Sequence, residues 1–507
     1  MKKLLFILVI GLASVSCNDL DIDPIGSISQ QRFFSSDRDA VSALNGVYQA
    51  LTYTEGEQAL YGRNLYFLTD MGTDYAAAGA AASNFHVQSI SQLAYDANND
   101  RVALVWKQIY NGINRANIAI DNIPEIPVTS ESDLELRAHL VNEAKFIRAL
   151  LYFTAVRLWS DVPLVLHEPE TLDNKFLKVE RTPKEKVYEQ IISDLTDAQA
   201  LKPIHTGADL GRPTKGAAVA LLAEVYLTRK EYDKAAATAK SIIDDAGVYG
   251  YKLVDNFDDL FTKPDKKNGP EHVFSVQFEN GQNGTTGSTG NTLVSVCYYG
   301  PTLSVEPPDI STSDAVGYDR FAAGDTRRDV SYVKEVKNPA TGAVLVTFPR
   351  ALFIKYVSSI YIDYRLRSSD PINFPVLRYA DVLLIYAEAV NERNGAPTAE
   401  AYEAINQVRR RAFGKLPVTT PNADVDLSGL NHDDFLKAVQ DERFFEFVQE
   451  GKRWFDLVRW GKLVEFTKDV EFKGQKFKAA VSERNNLYPI PQEQRDLNPE
   501  LYQNEGY

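Results

Sequence analysis

Sulfur is scarce in this sequence, with two cysteines and two methionines in 507 residues. One pair of cysteines is no disulfide framework, so stability has to come from a hydrophobic core. Histidine is scarce as well. The six are scattered and no HExxH run occurs, so the spacing that zinc and other transition metals require is missing. No GxSxG elbow and no phosphate-binding loop occur either, which removes the common signatures of acyl and phosphoryl chemistry. Beyond one apolar run at the start, no stretch approaches the length that crosses a bilayer. Basic residues are outnumbered, and the formal net charge of −14 argues against a nucleic-acid surface. What is abundant is apolar: 44% of the residues, enough for a large core, in a length that by itself would permit several domains.

The apolar run at the start has a specific reading. Lys2 and Lys3 precede LLFILVIGL (residues 4–12), small residues follow, and then comes Cys17. A basic start, a short apolar stretch and small residues make a secretory signal rather than a structural helix. An ordinary cleavage site needs no cysteine, whereas a lipobox does, with Ser14 here in the place usually held by leucine. We therefore expect residues 1–16 to be a lipoprotein signal peptide, Cys17 to be lipidated, and residues 17–507 to form one domain, tethered by an acidic segment. Several acyl chains hold a protein firmly on a membrane where one does not. Asp19, Asp21 and Asp23 have the spacing of a calcium loop, but Pro24 stands where that loop needs glycine and Gln30 where it needs glutamate, so no metal site is expected.

Helical periodicity dominates the rest. In residues 36–52 one face carries Val41, Leu44, Val47, Tyr48 and Leu51, behind Ser36 as N-cap. Residues 99–122 repeat the pattern, and 132–158 predict a long helix whose apolar second half must be buried. Further helices are predicted over 183–201, 214–229 and 231–245. In the last pair, Leu222, Ala223, Tyr226, Ala235 and Ala239 follow the large–small alternation of a tetratricopeptide unit, where small residues let two helices approach. Residues 378–412 read as a second such hairpin turning at Gly395 and Pro397, and 423–465 as a return to helix. The fold class is thus mainly α: a tetratricopeptide-like helical-repeat scaffold. Two long irregular insertions with short strands, roughly 53–98 and 248–375, interrupt it. A rigid core with variable loops is a common way to build a site.

Six segments carry a resemblance to a known family: ALNGVYQAL, AKFIRALLYFTAVRLWSDVPLV, GRPTKGAAVALLAEVYL, FPVLRYADVLLIYAEAVN, EGKRWFDLVRWGKL and LYPIPQEQRDLNPELYQNEGY. In this order they resemble successive blocks of the SusD/RagB family, over nearly the whole mature chain; Ser160 departs from the glycine that many members carry. The resemblance implies an outer-membrane lipoprotein exposed at the cell surface, with a SusD-like helical core whose inserted loops form the ligand face. It implies carbohydrate binding and glycan uptake in polysaccharide utilization. The partner would be a SusC-like TonB-dependent barrel transporter, to which the lipoprotein delivers oligosaccharide without catalysis. No cofactor is implied. In the RagB branch the ligand is a peptide, which stays open as an alternative.

A sugar site needs flat rings and polar groups. Trp106, Trp159, Trp454 and Trp460 all lie in the helical blocks and read as scaffold packing, so stacking in the insertions falls to Tyr and Phe. The resemblance points to the first and middle insertions as regions. Within them we single out Asp70, Asp74, Tyr75, Asn84 and Phe85, then Tyr298 and Tyr299 after the loop NGQNGTTGSTGNT. Tyr61, Tyr66, His86 and Tyr361 are weaker candidates. Arg453 and Asp456, three apart on a helix, can pair and read as a buried brace. A surface glycoside hydrolase is the remaining alternative. It would need two carboxylates at a set separation, and among 69 acidic residues accidental pairs are certain, so we expect no catalytic residues.

Overall fold

Side-chain caps set where the helices begin. The computed structural model describes residues 33–52, 59–78, 84–169, 178–279, 317–337, 341–356, 371–472, 475–476, 478 and 480–507. Helix α1 (Asp37–Gln49) starts where Ser36 accepts from the Asp39 N–H. Asn84 caps α2 (Phe85–Ser91) and Asn99 caps α3 (Asp100–Asn122). Ser130 and Asp133 form a reciprocal box at the start of α4 (Glu131–Trp159). Helices α5 (Lys184–Asp197), α6 (Lys215–Thr228) and α7 (Tyr232–Asp244) follow. Then come α8 (Tyr379–Asn394), α9 (Ala399–Ala412), α10 (His432–Glu446) and α11 (Arg453–Arg459). Gly395 ends α8 with φ 67°, the left-handed conformation that glycine adopts without a Cβ penalty.

Each helix packs on the next: α3 on α4, α4 on α5, α5 on α6, α6 on α7, α7 on α8 and α8 on α9, with α1 laid across α3 and α4. Ala223, Ala235 and Ala239 are all buried between α6 and α7, as the small-residue spacing required. The chain adopts the mainly α, tetratricopeptide-like class expected from its periodicity. Among the described residues six strands interrupt it: β1 (His272–Val276), β2 (Tyr332–Lys337), β3 (Val344–Phe353), β4 (Phe374–Arg378) and the two-residue β5 (Glu471–Phe472) and β6 (Gln475–Lys476). All three pairings, β1 with β4, β2 with β3 and β5 with β6, are antiparallel. Trp106, Trp159 and Trp454 are buried, and the Trp460 indole donates to Glu388 at 2.8 Å. The C-terminal tail locks onto the end of α4: the Tyr488 N–H donates to the Leu158 carbonyl at 2.8 Å, and Asn504 donates to the carbonyls of Trp159 and Tyr488. Among the described residues no helix is long and apolar enough to cross a membrane.

Two expectations need correction. The first insertion is not a surface loop. Leu60–Asn64 and Phe67–Met71 are irregular helical turns, and Leu60, Phe67, Leu68 and Met71 are fully buried. The helix expected from 423 starts only after Asn431, whose side chain accepts from the Asp434 N–H. The preceding residues spend their polar groups on local turns instead, as when Asp426 accepts from the Asn422 N–H and pairs with Arg410.

Candidate ligand-binding face

The first insertion supplies a floor. Asp70 is buried and accepts from Thr69 Oγ1 at 2.7 Å and from the Tyr75 hydroxyl. Burial pushes its carboxyl up to about 7, against those two hydrogen bonds. The Tyr75 oxygen in turn accepts from the Gln449 N–H at 3.0 Å. Asp74 is gripped by Arg453 at 2.7 and 2.8 Å, with Arg320 at 3.0 Å. Burial raises the Asp74 carboxyl, but the two guanidinium groups outweigh it and the net shift is downward. Lys478 donates to the carbonyls of Met71, Thr73 and Ala76 from within the interior, and burial pushes its ammonium down to about 7. The Ala78 N–H donates to Ser91 Oγ at 2.7 Å, tying the segment to α2.

The middle insertion comes down on this floor. Arg320 lies over the Phe444 ring at 3.7 Å and reaches Asp74 and Asp441. Tyr75 meets Phe353 and Phe444 edge-on, each at 5.9 Å. Phe353 lies against Tyr332 at 5.0 Å, and Tyr332 against Tyr318 at 6.2 Å. Gly317 touches the Tyr332 phenol so closely that a Cβ there would collide with the ring. Half-buried Tyr318 carries Lys334 at 4.5 Å and Arg328 at 5.0 Å over its ring. The two insertions therefore share one face, with a buried floor of Asp70, Asp74 and Tyr75 and a half-open rim of Tyr318, Arg320 and Lys334.

Asp70, Asp74 and Tyr75 were expected to offer contacts to a ligand. The structure brings them together but turns them inward, where each is already bound to protein groups. Asn84 spends its carbonyl on the α2 cap, accepting from the Val87 N–H at 3.0 Å. Phe85 is different: at 72% exposure it is the most open large apolar side chain among the described residues. Of the weaker candidates, Tyr61 and Tyr66 are buried, and His86 faces Asp100 at 3.9 Å. Tyr298, Tyr299, Tyr361 and Cys17 lie outside the described residues. Tyr318, Arg320 and Lys334 were not singled out in the sequence, although GYDRF (residues 317–321), an aromatic–charged run, is a signal for the first two.

Beneath the face lies a buried charge cluster. Arg378 pairs with Glu271 (2.6 Å), Glu446 (2.8 Å) and Glu450 (2.8 Å). Arg411 pairs with Glu271 and Glu446, Arg327 with Asp325, Glu442 and Glu446, and Lys355 with Glu450. Arg409 reaches Glu442 from the edge at 3.0 Å, so five cations face five carboxylates and the cluster is neutral. Burial alone would raise Glu446, yet Arg411, Arg378 and Arg327 hold it well below the usual carboxylate range. Arg453 and Asp456 do brace the core, with partners other than each other: Arg453 takes Asp74, and Asp456 takes Arg443 and Arg459.

The arrangement suits recognition. Rings and cations are presented at the rim, while the carboxylates beneath are locked by cations. The value near 7 at Asp70 is in the range of a general acid, but the group is wholly enclosed.

A family model described as the SusD family matches residues 352–507, and one described as starch-binding associating with outer membrane matches residues 30–227. SusD-like protein P2 of Formosa agariphila is 29% identical over 483 residues, 90% of each chain. A solved SusD homolog from Bacteroides thetaiotaomicron superposes with TM-score 0.81 at 24% identity, covering 94% of this chain and 98% of that one. A laminarin-binding SusD-like protein superposes with TM-score 0.73 at 27% identity, over 94% and 100%. With family models matched at both ends and relatives that follow nearly its full length, the chain belongs to the SusD/RagB family.

Proposed function

We propose that this protein is a cell-surface lipoprotein of the outer membrane that captures an oligosaccharide and delivers it to a SusC-like TonB-dependent transporter, without catalysis. The observation that carries the reading is the single face made by the two insertions. Its floor is rigid and already satisfied, while Tyr318, Arg320 and Lys334 stay half-open at its rim and Phe85 stands free on α2. A sugar presents C–H faces to rings and hydroxyls to cations and amides, and a rigid floor limits the ordering cost of binding. The laminarin-binding relative and the starch-binding family description support the choice of glycan, and the latter also supports the outer membrane. Tyr298 and Tyr299 are retained as proposed contacts. Cys17 is the proposed anchor, with residues 17–507 as the mature single domain: Cys17→Ala should move the protein out of the membrane fraction, and retention there without attached lipid would end the anchor reading.

The primary test is calorimetric titration of the protein lacking residues 1–17 against a glycan panel and a mixed-peptide panel. Saturable binding of one glycan class with no turnover is expected. Phe85→Ala and Tyr298→Ala should each weaken that binding about fivefold, the loss of one ring contact worth about 1 kcal/mol, with no fall in melting temperature. Unchanged affinity in both places the site elsewhere, and binding of peptides alone moves the chain to the peptide-handling branch.

A further inference from the structure

A cavity of about 540 Å³ opens between α3, the chain leaving α4 at Pro163 and Val165, residues 178–179 ahead of α5, and the C-terminal tail. That volume is within the range of small-ligand sites. Its walls are mostly apolar, with Ile113, Val165 and Leu501 set around the half-buried ring of Tyr110. Leu497 stands at the mouth, 69% exposed. Among the described residues no Asp or Glu lines the cavity. Lys107 and Lys178 do line it, both exposed and neither in an ion pair with a described residue. On a chain of formal net charge −14, two cations without a carboxylate beside them make a local positive field.

The buried amides of the wall are spent on the protein. Asn117 donates to the Val165 carbonyl at 2.9 Å and accepts from Arg148 at 3.0 Å. Asn498 donates to the Val179 carbonyl at 2.8 Å and accepts from the Glu500 N–H at 3.2 Å. The Tyr110 hydroxyl donates to the Pro163 carbonyl at 2.9 Å. Trp106 is different. It is 3% exposed, lines the cavity, and packs on Tyr110 and Trp159 with ring centres 4.9 Å from each. Its indole N–H meets no acceptor among the described residues, yet it is not one of the donors sealed inside the protein. In the other three tryptophans the donor is used or sealed: Trp159 donates to the Pro489 carbonyl at 3.1 Å, Trp460 donates to Glu388, and the Trp454 N–H is enclosed. An unmet donor costs free energy that an acceptor on a ligand recovers.

We propose that this cavity is a second ligand site, separate from the insertion face, for a small organic anion with an apolar ring body. The ring lies between the apolar walls, an acceptor atom on it takes the Trp106 N–H, and its carboxylate faces Lys107 and Lys178 at the mouth. Each part of the ligand answers one feature of the lining. A neutral saccharide would set most of its hydroxyls against apolar walls and leave both ammonium groups without a counter-charge. The site requires nothing of the insertion face and stands or falls on its own.

The test is titration of the mature full-length chain at low salt with three probes: 6-hydroxy-2-naphthoate, its neutral counterpart 6-hydroxy-2-naphthamide, and glucuronate as an anion with a polar body. The naphthoate should bind saturably, the amide about tenfold more weakly, and glucuronate more weakly than the naphthoate. Lys107→Gln and Lys178→Gln should each weaken naphthoate binding about threefold, and together they should flatten its dependence on salt. Trp106→Phe keeps a ring but removes the donor, and should weaken binding about fivefold. Should that variant fail to fold, Leu497→Glu carries the test: it changes an exposed side chain, sets a like charge at the mouth, and should abolish binding without lowering the melting temperature. No binding of the naphthoate, equal affinity for the amide, tighter binding of glucuronate, or wild-type affinity in Leu497→Glu would each overturn the proposal.

Discussion

Asp70 keeps its proton to about pH 7 because burial outweighs the hydrogen bonds from Tyr75 and Thr69, with Glu450 nearby adding repulsion. The unfolded chain releases that proton near the ordinary carboxylate value. Between the two values the folded state binds more protons than the unfolded one, so this group's contribution falls as pH rises through the window. Asp70→Asn preserves the shape and cannot ionise. It should gain on the wild type between about pH 4 and about pH 8, by on the order of 2–4 kcal/mol. His272, whose imidazole is pushed down to about 4 by burial and by Arg378, slopes the opposite way over part of that range, but both proteins keep it and it cancels in the difference. Lys478, held down to about 7, costs stability as pH falls toward 7 from above and is constant below it. Urea unfolding of both proteins at the two pH values measures the gain; parallel curves would mean that Asp70 ionises as an ordinary surface acid.

At the scale of elements, the close approach of α3 to α4 depends on Gly112. A Cβ there would stand 2.6 Å from Leu151 Cδ1 and 3.3 Å from the Ala50 Cβ. Gly112→Ala gains about 1 kcal/mol of helix propensity, which offsets much of the crowding. Gly112→Val gains less and adds two methyl groups to a filled space, so it should destabilise by about 2–3 kcal/mol. Denaturant midpoints decide it, and a valine variant as stable as wild type would mean that α4 yields. Elements of this kind were legible because their signals are local: Ser36 announces a start, and the apolar period announces faces. The 59–78 segment misled because its Gly and Ala neighbours suggested a loop, although LYFL within it is as apolar as any core helix. Nor could pairing be read. Arg453 has an acid three residues away and chooses Asp74 instead, because tertiary packing brings the two together across most of the chain. The rim of the candidate face was missed for the same reason: Arg320 joins it only through Phe444 and Asp74, which lie far away in the sequence.

At the scale of the molecule, the buried cluster joins what the sequence separates. Glu271, Arg327 and Lys355 belong to the middle insertion, whereas Arg411, Glu442 and Glu446 belong to the C-terminal helices and Glu450 to the turn after α10, and Glu446 is shared by three guanidinium groups. Such a cluster is weak support for stability as a whole, because desolvation offsets its attraction, but removal of one charge leaves a partner buried and unpaired. Glu446→Gln should therefore cost about 3–5 kcal/mol, while breaking the exposed Lys437–Asp441 pair by Lys437→Ala should leave stability unchanged. The cluster also ties the middle insertion to the scaffold, so the loss should not stay local. Hydrogen exchange in Glu446→Gln should rise together in 327–337, 374–378 and 399–412. A rise confined to α10 would mean that the insertion and the scaffold open independently, and that the cluster supports one helix rather than the junction between them.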